Sequence, residues 1–165
     1  MQKSPITTAA QAVIISYVLS LGALAMHEVS HLVLLHLMGG SGGLFIVPWR
    51  LGLVNYYIYG LHVEPLAPLT VSNQAVLNFL GPLIAVIPLA LLLEYERSRI
   101  VRVALVSNIL ILVFFAVLEA GYELLEAYSG REVGVLGSPE FNIGVPLMII
   151  LYVVYRGIWM PDRVS

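Results

Sequence analysis

The sequence predicts an all-α polytopic membrane protein with about four transmembrane helices and a short membrane-associated β-hairpin after the first. Three observations lead there. Of 165 residues, 59% are hydrophobic and only 11% charged, and the mean hydropathy is +0.93. A water-soluble domain of this size has too little interior to bury that much apolar surface. The apolar residues gather into four stretches long enough to cross a bilayer, separated by short charged or polar clusters. Between the first two stretches lies a segment of aromatic and β-branched residues punctuated by Gly and Pro, which is a strand composition. Residues 1–165 read as one membrane-embedded domain, with no internal repeat.

The first span, residues 8–38, would be about 46 Å long as a continuous helix and must tilt, protrude or bend to fit a bilayer. The opening Met1-Gln2-Lys3-Ser4-Pro5 has no small-residue cleavage site after its apolar region, so this segment is expected to remain as a span. Next comes the glycine-rich run Gly39-Gly40-Ser41-Gly42-Gly43, then LFIVPW (Leu44 to Trp49) and LVNYYIYGLHV (Leu53 to Val63). These two runs predict the hairpin. Unpaired strand edges are not tolerated in lipid, so it must pack on protein or line a wet cavity. The second, third and fourth spans are expected at 74–93, 100–125 and 143–159. The connection between the second and third, Glu94 to Arg99, is short and charged; the segment from Glu126 to Asn142 is a polar loop.

Charge and cysteine content remove several classes of function. A net charge of −2 with no basic run gives nucleic-acid binding no support. No cysteine means no disulfide, no thiolate metal site and no cysteine nucleophile. Any metal must therefore be held by His, Glu or Asp. Lys3, Arg97, Arg99, Arg102, Arg156 and Arg163 fall on the side of the termini, and only Arg50 and Arg131 on the other. Cytoplasmic loops are enriched in basic residues, so charge alone predicts both termini inside.

The residues that carry chemistry stand near the end of the first span: His27-Glu28-Val29-Ser30-His31, an HExxH sequence inside an apolar helix. His at i and i+4 project about 40° apart around a helix, so both imidazoles can reach one zinc ion. Glu28 lies about 100° from His27 and can reach water at the metal without ligating it. That spacing is the geometry of a zinc hydrolase, in which zinc acidifies a water and Glu28 takes its proton. Three ionisable side chains at membrane depth are costly unless compensated. One zinc ion compensates them; a hydrogen-bonded polar cluster holding no metal is the alternative.

Zinc in a catalytic site takes a third protein ligand and keeps its fourth position for water. Asp162, the single aspartate, lies beyond the last span. Within the third span the candidates are Glu119 and Glu123. Glu119 follows the apolar run Ile109 to Leu118 and is the deeper of the two, so it is the expected ligand. Glu123, one turn on, would orient a His or sit at the water boundary. A third His on the first span would need the spacing HExxHxxGxxH; His36 falls one residue early and the Gly is missing. His36 is therefore expected to be an interfacial or internally satisfied His. His62, in the hairpin segment, is read as structural. Asn78 and Asn108 are candidates for binding a substrate carbonyl, with helix–helix hydrogen bonding as the competing explanation.

These residues resemble a known family, the site-2 proteases, which are intramembrane zinc metalloproteases. Along the chain come HEVSH followed by Met38-Gly39-Gly40, then Asn78-Phe79-Leu80-Gly81-Pro82-Leu83-Ile84-Ala85, similar to the family's Gly-Pro-containing helix start. Leu118-Glu119-Ala120-Gly121 then stands where the family carries a Leu-Asp-Gly zinc-ligand motif. The resemblance covers about Leu19 to Leu125 and implies the family's three-helix catalytic core. It implies zinc held by His27, His31 and Glu119, with Glu28 activating the water that attacks a peptide carbonyl. The implied substrate is a transmembrane protein or peptide cut within the lipid bilayer, and the implied location is the cell membrane. The chain departs from the family pattern in carrying Glu for Asp and in lacking a Pro in the third span. The resemblance also implies an orientation opposite to the charge count. The expected function is an intramembrane zinc metalloendopeptidase; the alternative is a catalytically inactive relative that acts as a metal-binding or helix-binding membrane protein.

Overall fold

The computed structural model of the chain describes residues 4–51, 56–130 and 138–159. The tip of the predicted hairpin, the loop that carries Arg131, and Lys3, Asp162 and Arg163 near the termini lie outside the described residues. Among the described residues, four helices are long and apolar enough to cross a membrane. They are α1 (Pro5–Leu37), α2 (Val71–Tyr95), α3 (Arg99–Ser129) and α4 (Pro139–Val154), the last running on through a π-helical turn, Tyr155–Trp159. A two-stranded antiparallel hairpin, β1 (Gly42–Leu51) and β2 (Tyr56–Pro65), follows the first helix as the sequence predicts.

Each helix starts at a hydroxyl residue. Ser4, Thr70, Ser98 and Ser138 accept hydrogen bonds from the backbone N–H of Thr7, Asn73, Val101 and Phe141, satisfying donors that a helix start otherwise leaves bare. Pro5 and Pro139 occupy the first helical position, where their missing N–H costs nothing. The caps set the ends, which is why α2 and α3 run past the apolar stretches 74–93 and 100–125 at both sides.

The end of α1 is equally specified. Gly39, at φ +80°, lets the chain leave the helix in the left-handed conformation. The N–H of Gly39 then bonds His36 O and that of Gly40 bonds Leu35 O, at 3.0 and 2.9 Å. This closure ties up carbonyls that the helix end would leave bare. It also aims the chain into β1.

Helix α3 is the centre of the bundle. Half of its most apolar window is buried, against 17 to 28% for the other three. One buried cluster joins Ala9 and Ala12 of α1, Val103, Ile111 and Phe115 of α3, and Ile150 and Val153 of α4. A second joins Ala23 of α1, Ala85 and Leu89 of α2, and Leu105 and Leu112 of α3. Small residues at these contacts let helices approach where lipid offers no hydrophobic drive to associate.

The hairpin packs on protein, one of the two arrangements open to a strand pair in an apolar setting. Val63 of β2 is buried with Leu35 of α1 and Leu77 of α2. The register pairs Leu44 with Val63 and Pro48 with Tyr59, and Leu66 N–H bonds Ser41 O one step beyond the strands. In an antiparallel pair, residues alternate between bonded and unbonded positions. Counting from the Ser41–Leu66 bond, Pro48 and Val63 both fall at unbonded positions. Pro48 is thus accommodated inside β1 with no ladder bond lost.

Gly81-Pro82 differs from expectation. Rather than opening the second helix, it lies ten residues inside α2, whose start is set by Thr70. The pair serves there as a close-packing point, since both residues are buried. Pro82 has no N–H for the Asn78 carbonyl to accept, a loss that transmembrane helices tolerate when neighbours pack the site.

Candidate metal centre

Helices α1 and α3 meet with a constant offset. Asn108 Nδ2 donates to Ser16 O at 3.1 Å, and Glu119 Oε2 approaches His27 Nε2 at 3.4 Å. Both pairs are separated by 92 positions (108 − 16 and 119 − 27), so the two helices run parallel and in step along this seam. Eleven residues are about three turns, which returns each helix to the same face. The seam that buries Asn108 therefore delivers Glu119 to the HExxH face of α1.

There the three expected ligands come together. His27 Nε2 and His31 Nε2 are 3.0 Å apart, and Glu119 Oε2 lies 3.4 Å from the first and 3.9 Å from the second. The two imidazoles meet edge to face, with ring centroids 4.5 Å apart. Ligand atoms held about 2.0–2.1 Å from a zinc ion at tetrahedral angles stand about 3.3–3.4 Å apart. The three separations bracket that value. Two imidazole nitrogens and one carboxylate oxygen are a donor set that zinc accepts, so the residues present fit the ion. His27 Nδ1 is buried without a partner, so any ligating tautomer of His27 carries the cost of one unmade hydrogen bond.

Exposure grades across the site. The side chains of His27 and His31 are 4% and 11% exposed and that of Glu119 is 30% exposed, so the carboxylate marks the open side. Glu28 is not one of the three clustered residues. Its Oε2 accepts a hydrogen bond from the Val63 backbone N–H at 3.0 Å. Because Val63 occupies an unbonded position of the ladder, its N–H faces the outer edge of β2, and that edge is the one turned to α1.

The remaining sequence candidates are spread around this centre. Asn78 Oδ1 accepts from Gln74 Nε2 at 2.9 Å, on the turn of α2 before Gly81. Asn108 sits three turns from the ligands, bonded to Ser16 O and Ala104 O, which is the helix–helix role weighed for it. Glu123 is half-buried one turn beyond Glu119 and outside the ligand triangle. His36 Nδ1 donates to Leu32 O and takes no part in the cluster. His62 neighbours Val63 on β2, with its side chain exposed.

Two contacts escape sequence reasoning. One is the Val63 N–H on Glu28. The other is Gly81, where an added Cβ would stand 1.6 Å from His31 Cδ2 and 2.1 Å from His31 Nε2. A glycine kept within an apolar helix, ahead of a proline, is the only sequence signal for it.

Comparison with protein-family models, with characterised proteins and with solved structures finds no match for the chain.

Proposed function

We propose that the chain is a multi-pass membrane-embedded zinc metalloendopeptidase that hydrolyses peptide bonds of membrane-protein substrates, seated in the cell membrane. The observation that carries this reading is the convergence of two buried imidazoles, His27 and His31, with the half-buried Glu119 of a separate helix, Glu28 standing next to His27 in sequence. Leaving such groups in an apolar bundle with nothing to bind is expensive.

When bound, the ion supplies Lewis-acid activation of water and of the scissile carbonyl. His27, His31 and Glu119 hold it. Glu28 accepts the proton that the attacking water gives up as its oxygen bonds to the carbonyl carbon. It then returns that proton to the amide nitrogen as the C–N bond breaks. Val63 N–H engages Oε2, so the proton is exchanged at Oε1. Water and substrate enter on the more exposed side of Glu119. A transmembrane helix shields its own peptide bonds, so the substrate must be extended locally. Leu61 and Tyr59 continue the outer edge of β2 beyond Val63, and an extended peptide adds to such an edge as a strand. Asn78, held by Gln74, keeps its Nδ2 for a substrate carbonyl.

The test is zinc stoichiometry of the purified wild type, Glu28→Gln and Glu119→Gln, with cleavage of a transmembrane reporter followed in parallel. Retained zinc with lost cleavage in Glu28→Gln, and lost zinc in Glu119→Gln, is the expected pattern. Stoichiometric zinc with no cleavage by the wild type would give the chain to the metal-binding or helix-binding alternative.

A further inference from the structure

Glycine in a helix interior is less favourable than alanine, because it costs more backbone entropy and offers nothing to pack. Its presence at position 81, ten residues from the start of α2 and fourteen from its end, calls for a local reason. The reason is a side chain on another helix. The three atoms nearest to an added Cβ at Gly81 are Cδ2, Nε2 and Cγ of His31, at 1.6, 2.1 and 3.0 Å. No rotation of a methyl group relieves such overlaps. Gly22, Gly121 and Gly144, also inside helices, have nothing within 4 Å of an added Cβ. Gly157, in the π-helical turn after α4, would meet Val103 Cγ2 at 2.5 Å, so among the described helical glycines two are closely packed, and Gly81 is the one packed on a candidate ligand.

From this contact we infer that Gly81 is a positioning residue of the metal centre, the absence of its side chain being what lets the His31 ring turn its Nε2 toward His27 and Glu119. This rests on the metal-centre reading above. Nε2 is the ligand atom, and it lies on the ring edge that Gly81 contacts. Bulk there pushes the ring off α2 and opens the 3.0 Å and 3.9 Å separations that close the ligand triangle. Pro82 and the α1–α2 packing through Ala85 and Ala23 hold the backbone of α2 where the ring meets it, so the helix does not yield instead. Helix α2 thus contributes a surface to the centre while α1 and α3 contribute the ligands.

The experiment is a double-mutant cycle on the full chain in detergent, with Gly81→Ala, His31→Ala and the pair, read first as apo-protein melting temperature. Gly81→Ala lowers the Tm of the wild type; in the His31→Ala background, with the ring gone, that loss is erased or reversed. An equal loss in both backgrounds would overturn the contact. If Gly81→Ala alone yields no folded protein, recovery of monodisperse protein in the pair gives the same answer, and failure of both overturns it. The second readout is metal affinity by chelator competition and the d–d spectrum of the cobalt form. Gly81→Ala is expected to lose about tenfold or more in zinc affinity, the scale of losing a group that orients a ligand, with an altered cobalt spectrum. Zinc bound by Gly81→Ala as tightly as by the wild type overturns the positioning role alone. A wild type that takes up no zinc overturns the metal-centre reading, while the melting cycle still decides the contact.

Discussion

The backbone N–H of Val63 donates to Glu28 Oε2 at 3.0 Å, joining the outer edge of the hairpin to the one acidic residue of the HExxH turn. The bond is available because of strand parity. Val63 pairs with Leu44 at an unbonded position, so its N–H is not spent on the ladder. Burial of the Val63 side chain against Leu35 and Leu77 fixes the strand at this point. The hairpin is thereby a part of the site and not an appendage.

Removing that donor separates its role from packing. Val63→Pro deletes the N–H without touching a ladder bond, whereas Val63→Ala keeps the N–H and trims the buried side chain. We expect Val63→Pro to keep zinc and to lose reporter cleavage by at least about tenfold, equal to about 1.4 kcal/mol of barrier. Val63→Ala should keep most activity and lose about 1–3 kcal/mol of stability. Equal cleavage by the two variants would show that the N–H does not act on Glu28.

Metal removal gives a second outcome with a definite sign. A ligand that binds only the folded state stabilises it, by about 2.7 kcal/mol at one hundred times its dissociation constant. Chelation should therefore lower the melting temperature of the wild type and leave that of Glu119→Gln unmoved. A thermal scan with and without chelator measures both. No shift in the wild type would mean that the three ligand atoms close on a hydrogen bond and not on an ion.

What the sequence made legible follows from which physical signal each feature has. Span count comes from hydropathy, and the candidate ligand pair His27 and His31 from helical periodicity; both are local. Glu119 was reachable because depth in an apolar run is a cost that needs an explanation. The helix ends were written in Ser4-Pro5, Thr70, Ser98 and Ser138-Pro139, which hydropathy windows pass over. Gly81-Pro82 misled because a Gly-Pro pair reads as a helix start, while its position inside α2 depends on a cap eleven residues earlier. The Val63 bond and the 92-residue offset between α1 and α3 have no local trace. Each exists only once two segments are set in register.

Gly39 tests how firmly the α1 end sets the hairpin. At φ +80° a Cβ is strained whatever the space around it, and nothing lies within 4 Å of one there. Gly39→Ala should cost about 1–2 kcal/mol, and Gly39→Asn less, since Asn visits this conformation more readily. Melting temperatures of the two variants decide it; equal losses would place the cost in something other than backbone strain.

Asn108 offers the sharpest separation of packing from chemistry. It is fully buried, and Nδ2 bridges to the Ser16 carbonyl while Oδ1 has no partner. The hydroxyl of Ser16 is engaged with Ala12 O in its own helix and is not the group that Asn108 uses. Ser16→Ala should thus change stability by less than about 0.5 kcal/mol. Asn108→Ala deletes an interhelical bond and leaves a small void, for a loss of about 1–2 kcal/mol. Because the ligands lie three turns away along the same seam, zinc stoichiometry should be unchanged in both. Loss of zinc in Asn108→Ala would mean that the step between α1 and α3 is held at Asn108, and that the position of Glu119 depends on it.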